Sequence, residues 1–503
     1  MHNFWLSVYS VLLKLLVGIK ITIVIIYYRY STAATTVKPF KSIPGLSSLP
    51  LIGPLHHFIP GIGKILYICL KLYNKFGPIV KLDGLFARAS MVILYEPEHF
   101  DQVYRAEDVL PSRPGFEILT YYRTTLRKST YEGIYGLTTA EGLQWRDFRT
   151  KVNPALLKPK LVKLYTPTLQ EIAEEMVSRL VRLKDENKYL QENFNLEMTK
   201  WSLESVAVVA LGSRLGGLKD NLKEDASSRI LIKCAQDIIN LSFKLELRPS
   251  LWKYIPTRNF KNLVKAYDLQ WDTSLKVITE AKRHIIERGH DIPEEDKSVV
   301  EKLLAIDEKV AVTMANEMML AGIDTVAFTT ISLLYKLATN QQCQDKLREE
   351  IRSPEQSNRY LRACLKESLR LAAVISANLR RTTKEHVVAG YQIPKGVDVI
   401  APNELLSRMD KHYPRAEEFL PERWLVGKTD PLYYGNCHPM VTLPFGFGIR
   451  SCIGRRIAEL QIEVFVKTLI RDVKVTWEGP PAQVVATVMN TFKKPFHFKF
   501  YPL

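Results

Sequence analysis

A chain of 503 residues with 46% hydrophobic and 24% charged residues has an ordinary globular composition, which excludes a disordered chain, a collagen-like fibre and a small disulfide scaffold. Its mean hydropathy of −0.08 excludes a polytopic membrane protein, and six cysteines are too few for a disulfide framework, so they read as mostly reduced, intracellular thiols. The net charge of +17 favours an acidic partner: nucleic acid, an anionic membrane or an acidic protein.

The basic excess is concentrated at the start of the chain. No Asp or Glu precedes Asp83, and nine Lys and Arg side chains fall in the first 82 residues. Residues 1–37 read as a targeting or membrane-associating segment. Trp5 to Tyr28 is mostly apolar and close to the ~20 residues that span a bilayer, although Lys14 and Lys20 interrupt it. The same acid-free, hydroxyl-bearing segment suits an organelle presequence. Pro39, Pro44, Pro50, Pro54 and Pro60 then make 38–60 a stiff hinge, because proline continues neither a helix nor a central strand. Residues 61–503 read as a single catalytic domain without repeats.

In that body, Ile79–Lys81 and Ser90–Leu94 are short strand-like runs. Helical periodicity dominates from Glu141 and predicts long helices over Glu171–Leu190, Phe194–Leu211, Ala226–Leu245, Leu263–Arg288 and Glu308–Ala338. Tyr360–Leu371 continues the pattern. Strand character returns at Val387–Ile393 and Val397–Ile400, joined by the turn Pro394-Lys395-Gly396. Ile453–Ile470 reads as a helix and Val473–Phe500 as strands with irregular loops. The expected fold is mainly α with a minor β part. No alternation of β and α units points to a Rossmann sheet.

Four segments could carry chemistry. In Phe445-Gly446-Phe447-Gly448-Ile449-Arg450-Ser451-Cys452-Ile453-Gly454-Arg455-Arg456, Ser451 stands where a dinucleotide-binding loop needs glycine. Cys437, His438 and Cys452 lack the paired spacing of a zinc site. What remains is a thiol at the start of a helix, where backbone N–H groups and nearby arginines favour thiolate. A buried structural cysteine is the plain alternative. Glu367 and Arg370 share a helix face three residues apart and can pair; Arg423, in Pro421-Glu422-Arg423-Trp424, would make the pair a triad. Ala321-Gly322-Ile323-Asp324-Thr325 puts small residues, an acid and an alcohol inside the longest helix, which suits either close packing or proton delivery. Trp145 and Arg149, four residues apart, offer paired donors to a carboxylate or an ordinary salt-bridged face.

In this order, these segments resemble the cytochrome P450 superfamily from about Lys38 to the end of the chain. The cysteine loop matches the family's F-x-x-G-x-R-x-C-x-G pattern at every fixed position. The resemblance implies the family's mainly helical fold and haem b held by Cys452, with Phe445 shielding the sulfur. It implies that Trp145, Arg149, Arg381 and Arg450 hold the haem propionates, that Glu367, Arg370 and Arg423 form a buried structural triad, and that Asp324 and Thr325 relay protons to bound dioxygen. The implied activity is a monooxygenase that hydroxylates a lipophilic molecule, steroid-like or foreign. The apolar and aromatic segments Ser112–Tyr131 and Ile230–Trp252 suit such a substrate. A haem-thiolate protein that binds or isomerises ligands without activating oxygen is the alternative, and the acid–alcohol pair argues against it.

Arg362, Lys366, Arg455 and Arg456 could form a basic patch on the electron-entry side. This is similar to the mitochondrial group, whose donor is an acidic, adrenodoxin-like ferredoxin, since complementary charge steers such encounters. A microsomal protein served by a flavoprotein reductase would tolerate the same patch. The stretches Val152–Tyr165 and Arg113–Arg123 resemble arthropod mitochondrial members, which implies a mitochondrial location with peripheral association to the inner membrane, the endoplasmic reticulum being the rival. A nucleic-acid binder is excluded because no zinc-finger spacing or basic-aromatic platform is present. The chain departs from the family twice: Leu371-Ala372-Ala373 follows Arg370 without a proline, and the link from Glu350 to Tyr360 is short.

Overall fold

The computed structural model describes residues 37–46, 65–83, 90–106, 110–158, 163–184, 186, 188–246, 250–289, 293–294, 296–355, 357–486 and 489–503. The leader over 1–37 lies outside the described residues except for Val37, as does the greater part of the proline-rich hinge. Helices of nine residues or more are α1 (Ile65–Phe76), α2 (Pro97–Arg105), α3 (Gly142–Leu156), α4 (Thr166–Leu183), α5 (Tyr189–Ala210), α6 (Ser227–Glu246), α7 (Arg258–Arg288), α8 (Glu308–Thr339), α9 (Gln341–Arg352), α10 (Arg359–Leu371) and α11 (Arg455–Asp472).

The strands are β1 (Ile79–Leu82), β2 (Met91–Leu94), β3 (Asn378–Arg381), β4 (His386–Val388), β5 (Tyr391–Ile393), β6 (Asp398–Ala401), β7 (Val473–Trp477), β8 (Val484–Ala486), β9 (Asn490–Phe492) and β10 (Phe498–Pro502). One four-stranded sheet runs β1-β2-β6-β3, and the other strands form two-stranded pairs. The expected mainly helical architecture is present. Two local expectations differ from it, and one strand was not expected. The predicted strand 387–393 is a hairpin, because the chain turns at Ala389 and Gly390, both with positive φ. The helix predicted over 171–190 stops at Leu183, and α5 begins after Lys188, which has φ 63°. Strand β3 lies where the sequence predicts no element.

Helix α8 is the axis of the fold. Its start is fixed by Asp307, whose carboxylate accepts from the N–H groups of Lys309 and Val310 at 2.7 and 3.2 Å. At ~1.5 Å per residue its 32 residues run about 48 Å. It is long and apolar enough to cross a bilayer, but much of it is buried against other helices, so it is the core helix of this domain. The main apolar cluster joins it to α4, α5, α10 and α11, while a second cluster packs α1 and α2 against the sheet.

The short link after α9 is built for its length. Glu350, near the end of α9, accepts from the N–H groups of Tyr360 and Leu361 at 2.7 and 3.0 Å. One carboxylate thus caps the start of α10 and ties the two helices together.

Candidate active site around Cys452

Two glycines shape the cysteine loop. Gly446 and Gly448 have φ of 72° and 70°, a region costly for any residue with a Cβ. The loop then closes on itself, with the Cys452 N–H donating to Phe445 O at 2.8 Å. The backbone N–H groups of Gly454 and Arg455 point at the sulfur. Cys452 is reachable by a water-sized molecule, although protein surrounds it. Its thiol therefore faces an interior space.

Burial pushes the Cys452 thiol up, against the two N–H groups and the guanidinium groups of Arg149 and Arg113. The donors at the helix start favour the thiolate, as expected, and desolvation opposes them. A bound metal ion deprotonates a thiol outright, so a metal would supply what the loop alone does not.

Arginines surround this space. Arg149 donates from Nη2 to Ser451 O at 3.1 Å, while its buried Nε has no partner among the described residues. Arg450 stacks on buried Trp145 at 4.5 Å and donates to Ala140 O at 2.9 Å. Arg381 does not join them. It forms a two-pronged pair with Asp398 at 2.7 and 3.0 Å, because alternate residues of a strand face opposite ways. Its neighbour Arg380 is the buried one, stacked at 5.3 Å on Tyr104 and donating to Phe447 O at 3.0 Å.

A fourth arginine, noted in the sequence only within the stretch Arg113–Arg123, was not assigned to the haem. The Arg381 N–H donates to Ser112 O at 3.0 Å, which fixes Arg113 beside this strand. Arg113 lies within electrostatic reach of Arg380, Arg149 and Cys452, and burial together with Arg380 pulls it below its ordinary value. No hydrogen bond or ion pair holds it among the described residues. Two enclosed cations, Arg113 and Arg149, with Glu317 and Glu141 the carboxylates that face Arg113, call for a buried anion, since unpaired charge is costly away from water. A porphyrin carrying two carboxylates and an iron fits both the cations and the thiol.

Glu367, Arg370 and Arg423 are fully buried together. Arg370 grips Glu367 at 2.9 and 2.7 Å, and Arg423 Nε reaches the same carboxylate at 3.1 Å. Trp424 Nε1 and the Leu420 N–H complete its partners at 3.0 and 3.1 Å. Arg370 also donates to the carbonyls of Ser407, Ala416 and Glu418. The cluster fastens α10 to the loop that leads to the cysteine.

On α8, Thr325 donates to Ala321 O at 2.5 Å. Burial pushes the Asp324 carboxyl up to about 6, opposed by a hydrogen bond with Thr199. Ala321, one turn before Thr325, is exposed in the midst of a buried helix, so this stretch borders an interior space too. Three residues past Thr325, Phe328 packs with Val374 and Met489, joined by Ile239 and Phe492. Segments 112–131 and 230–252, read from the sequence as pocket walls, meet in one apolar cluster with α7.

The four basic residues assigned to electron entry lie on α10 and α11, but three are already engaged. Arg362 pairs with Glu463 at 2.7 and 3.1 Å. Arg455 pairs with Glu459 at 2.9 Å and stacks on Phe445 at 5.1 Å. Arg456 donates to Leu157 O. Lys366 lies 5.6 Å over the Trp424 ring, with no ion pair among the described residues.

The sequence profile of the cytochrome P450 family matches residues 43–496. Cytochrome P450 CYP12A2 of Musca domestica is 37% identical, over 93% of each chain. Probable cytochrome P450 12b2, mitochondrial, of Drosophila melanogaster is 36% identical over 93% of this chain and 90% of the relative. Probable cytochrome P450 301a1, mitochondrial, of the same fly is 32% identical over 92% and 87%.

Proposed function

The chain belongs to the cytochrome P450 family of haem-thiolate monooxygenases, and on that premise we propose that it hydroxylates a lipophilic small molecule in the mitochondrion with electrons from an acidic ferredoxin. The observation that carries the chemistry is the Cys452 thiol facing an interior space among Arg113, Arg149, Arg380 and Arg450. Haem, when bound, supplies the oxygen chemistry: one atom of dioxygen enters a C–H bond and the other leaves as water.

The protein's own residues do the rest. Cys452 would offer the sulfur that holds the iron, and Gly454 and Arg455 donate N–H groups to it. Arg149 and Arg450, with Trp145 and the pair Arg380 and Arg113, would hold the carboxylates. Asp324, whose carboxyl burial pushes up to about 6, holds and passes a proton, and Thr325 presents a hydroxyl beside it. Phe328, Val374 and Met489 offer an apolar wall that orients the substrate and excludes water.

A steroid-like or foreign apolar compound suits those walls. The mitochondrial names of several relatives support the location, and a location there makes a ferredoxin the fitting donor. Leu251, Tyr254 and Ile255, 59%, 80% and 55% exposed on one short segment beside Lys253, support peripheral contact with a membrane surface. Reduction under carbon monoxide tests the core of the reading. A Soret band of the thiolate-ligated type is expected, and a band at the histidine-haem position would refute it.

A further inference from the structure

Helices α5 and α8 meet face to face at the turn that carries the proton donor. At Gly322 the approach is close enough that an added Cβ would stand 2.9 Å from Val206 Cγ2. Four residues before Val206, the Ser202 hydroxyl lies 2.7 Å from Ile323 O and 3.1 Å from Gly322 O. These are the two carbonyls immediately before Asp324. One turn further back on the same face, buried Thr199 is the side chain that holds the Asp324 carboxyl down against its burial.

We propose that Thr199 and Ser202 are positioning residues for Asp324, and that the Thr199 hydroxyl exchanges hydrogen bonds as Asp324 loses and regains its proton. The proposal rests on the monooxygenase reading and extends it to a helix outside the acid–alcohol pair. Ser202 fixes the turn; Thr199 serves the carboxyl itself.

The proton count supports the exchange. A hydroxyl has one proton to give. In the structure Thr199 gives it to Asn195 O at 2.8 Å, which leaves its oxygen free to accept from a protonated Asp324. When Asp324 is ionised it can only accept. Thr199 then turns its proton to the carboxylate, and Asn195 O keeps its helical bond from the Thr199 N–H. Neither state strands a buried polar group, so the proton can leave and return without the desolvation penalty of an unpaired group.

The surroundings leave this hydroxyl as the tuning group. Burial and Thr199 are the two influences resolved on Asp324. The charged side chains of α5 near this turn are engaged elsewhere: Glu197 with Arg179 and Lys200, and Glu204 with Arg214. On α8, Glu317 is held by Arg123 at 2.7 Å.

Infrared titration of the haem-loaded protein tests the proposal, with Asp324→Asn identifying the carboxyl band. The wild-type band should titrate near pH 6. Thr199→Val removes a charge-assisted bond from the ionised form and a weaker neutral one from the protonated form, so it should move the midpoint up by about one pH unit, and Thr199→Ser should restore it. Thr199→Ala removes the same hydroxyl in a smaller side chain and should behave like the valine variant if that one does not fold. An unmoved midpoint in Thr199→Val or Thr199→Ala, or failure of serine to restore it, overturns the proposal. A wild-type carbon monoxide spectrum of the histidine-haem type would instead overturn the monooxygenase reading on which it stands.

Discussion

Arg380 and Arg381 are neighbours in one strand and serve opposite sides of it. Arg380 is buried against Tyr104 and the cysteine loop, while Arg381 pairs with Asp398. Arg380→Ala should speed haem transfer to apomyoglobin about tenfold, the rate equivalent of ~1.4 kcal/mol. Arg381→Ala breaks a partly exposed pair worth roughly 0–1 kcal/mol and should change haem transfer less than twofold. Equal effects of the two substitutions would contradict the assignment.

Glu367 is the centre of a fully buried cluster with two guanidinium groups and an indole. Removing one partner leaves the others charged and unpaired, at a cost of about 3–5 kcal/mol. Glu367→Ala should lower the urea midpoint accordingly and yield mostly haem-free protein. A midpoint within experimental error of wild type would show that the loop is held by other contacts.

The raised Asp324 carboxyl sets a pH dependence of stability. Its ordinary value is 3.8 and its folded value about 6, so between these the folded state holds the proton and the unfolded state does not. The folded form is therefore progressively destabilised as pH rises from about 4 to about 6. Replacing the acid by Asp324→Asn should remove that slope. Thermal midpoints measured across this window, with wild type and variant falling in parallel, would contradict the assignment.

Lys366 is the better test of ferredoxin docking than Arg362. Arg362 is committed to Glu463, whereas Lys366 has, among the described residues, only the Trp424 ring beneath it. Lys366→Glu should weaken binding of an acidic ferredoxin about tenfold at low salt, and less as salt screens the contact. Arg362→Gln should have a smaller effect. Identical affinities for wild type and Lys366→Glu would remove the charge argument for this face.

The apolar wall near Phe328 is held by a polar clasp. Asn490 donates to Glu404 at 2.9 Å and to Ala373 O at 2.7 Å, and its N–H donates to Val374 O at 2.9 Å. Asn490→Ala should weaken binding of a bulky azole such as ketoconazole about fivefold and leave that of free imidazole unchanged. Parallel losses for both ligands would place the effect at the haem rather than at the wall.

What the sequence revealed divides by the range of the interactions. The cysteine loop and the i,i+3 pair of Glu367 and Arg370 are local patterns, and both lie where spacing put them. Arg423 reached the pair because its Pro-Glu-Arg-Trp context marked it. Arg380, the buried one of the two, goes unmarked in the sequence because strand β3 is only four residues long and its register comes from β6. Alternation cannot be phased without that register. Arg113 and Thr199 owe their positions to contacts with distant elements, a bridge to β3 and a helix crossing. No local signal marks either. Helical periodicity likewise ran past Leu183 because the side chains stay amphipathic there, while the backbone turns at Lys188.

X-ray absorption at the iron edge of the purified holoprotein tests the account at its centre. One sulfur scatterer bound to the iron is expected in wild type, replaced by oxygen or lost with the haem in Cys452→Ser. A wild-type iron with only nitrogen and oxygen neighbours would contradict it.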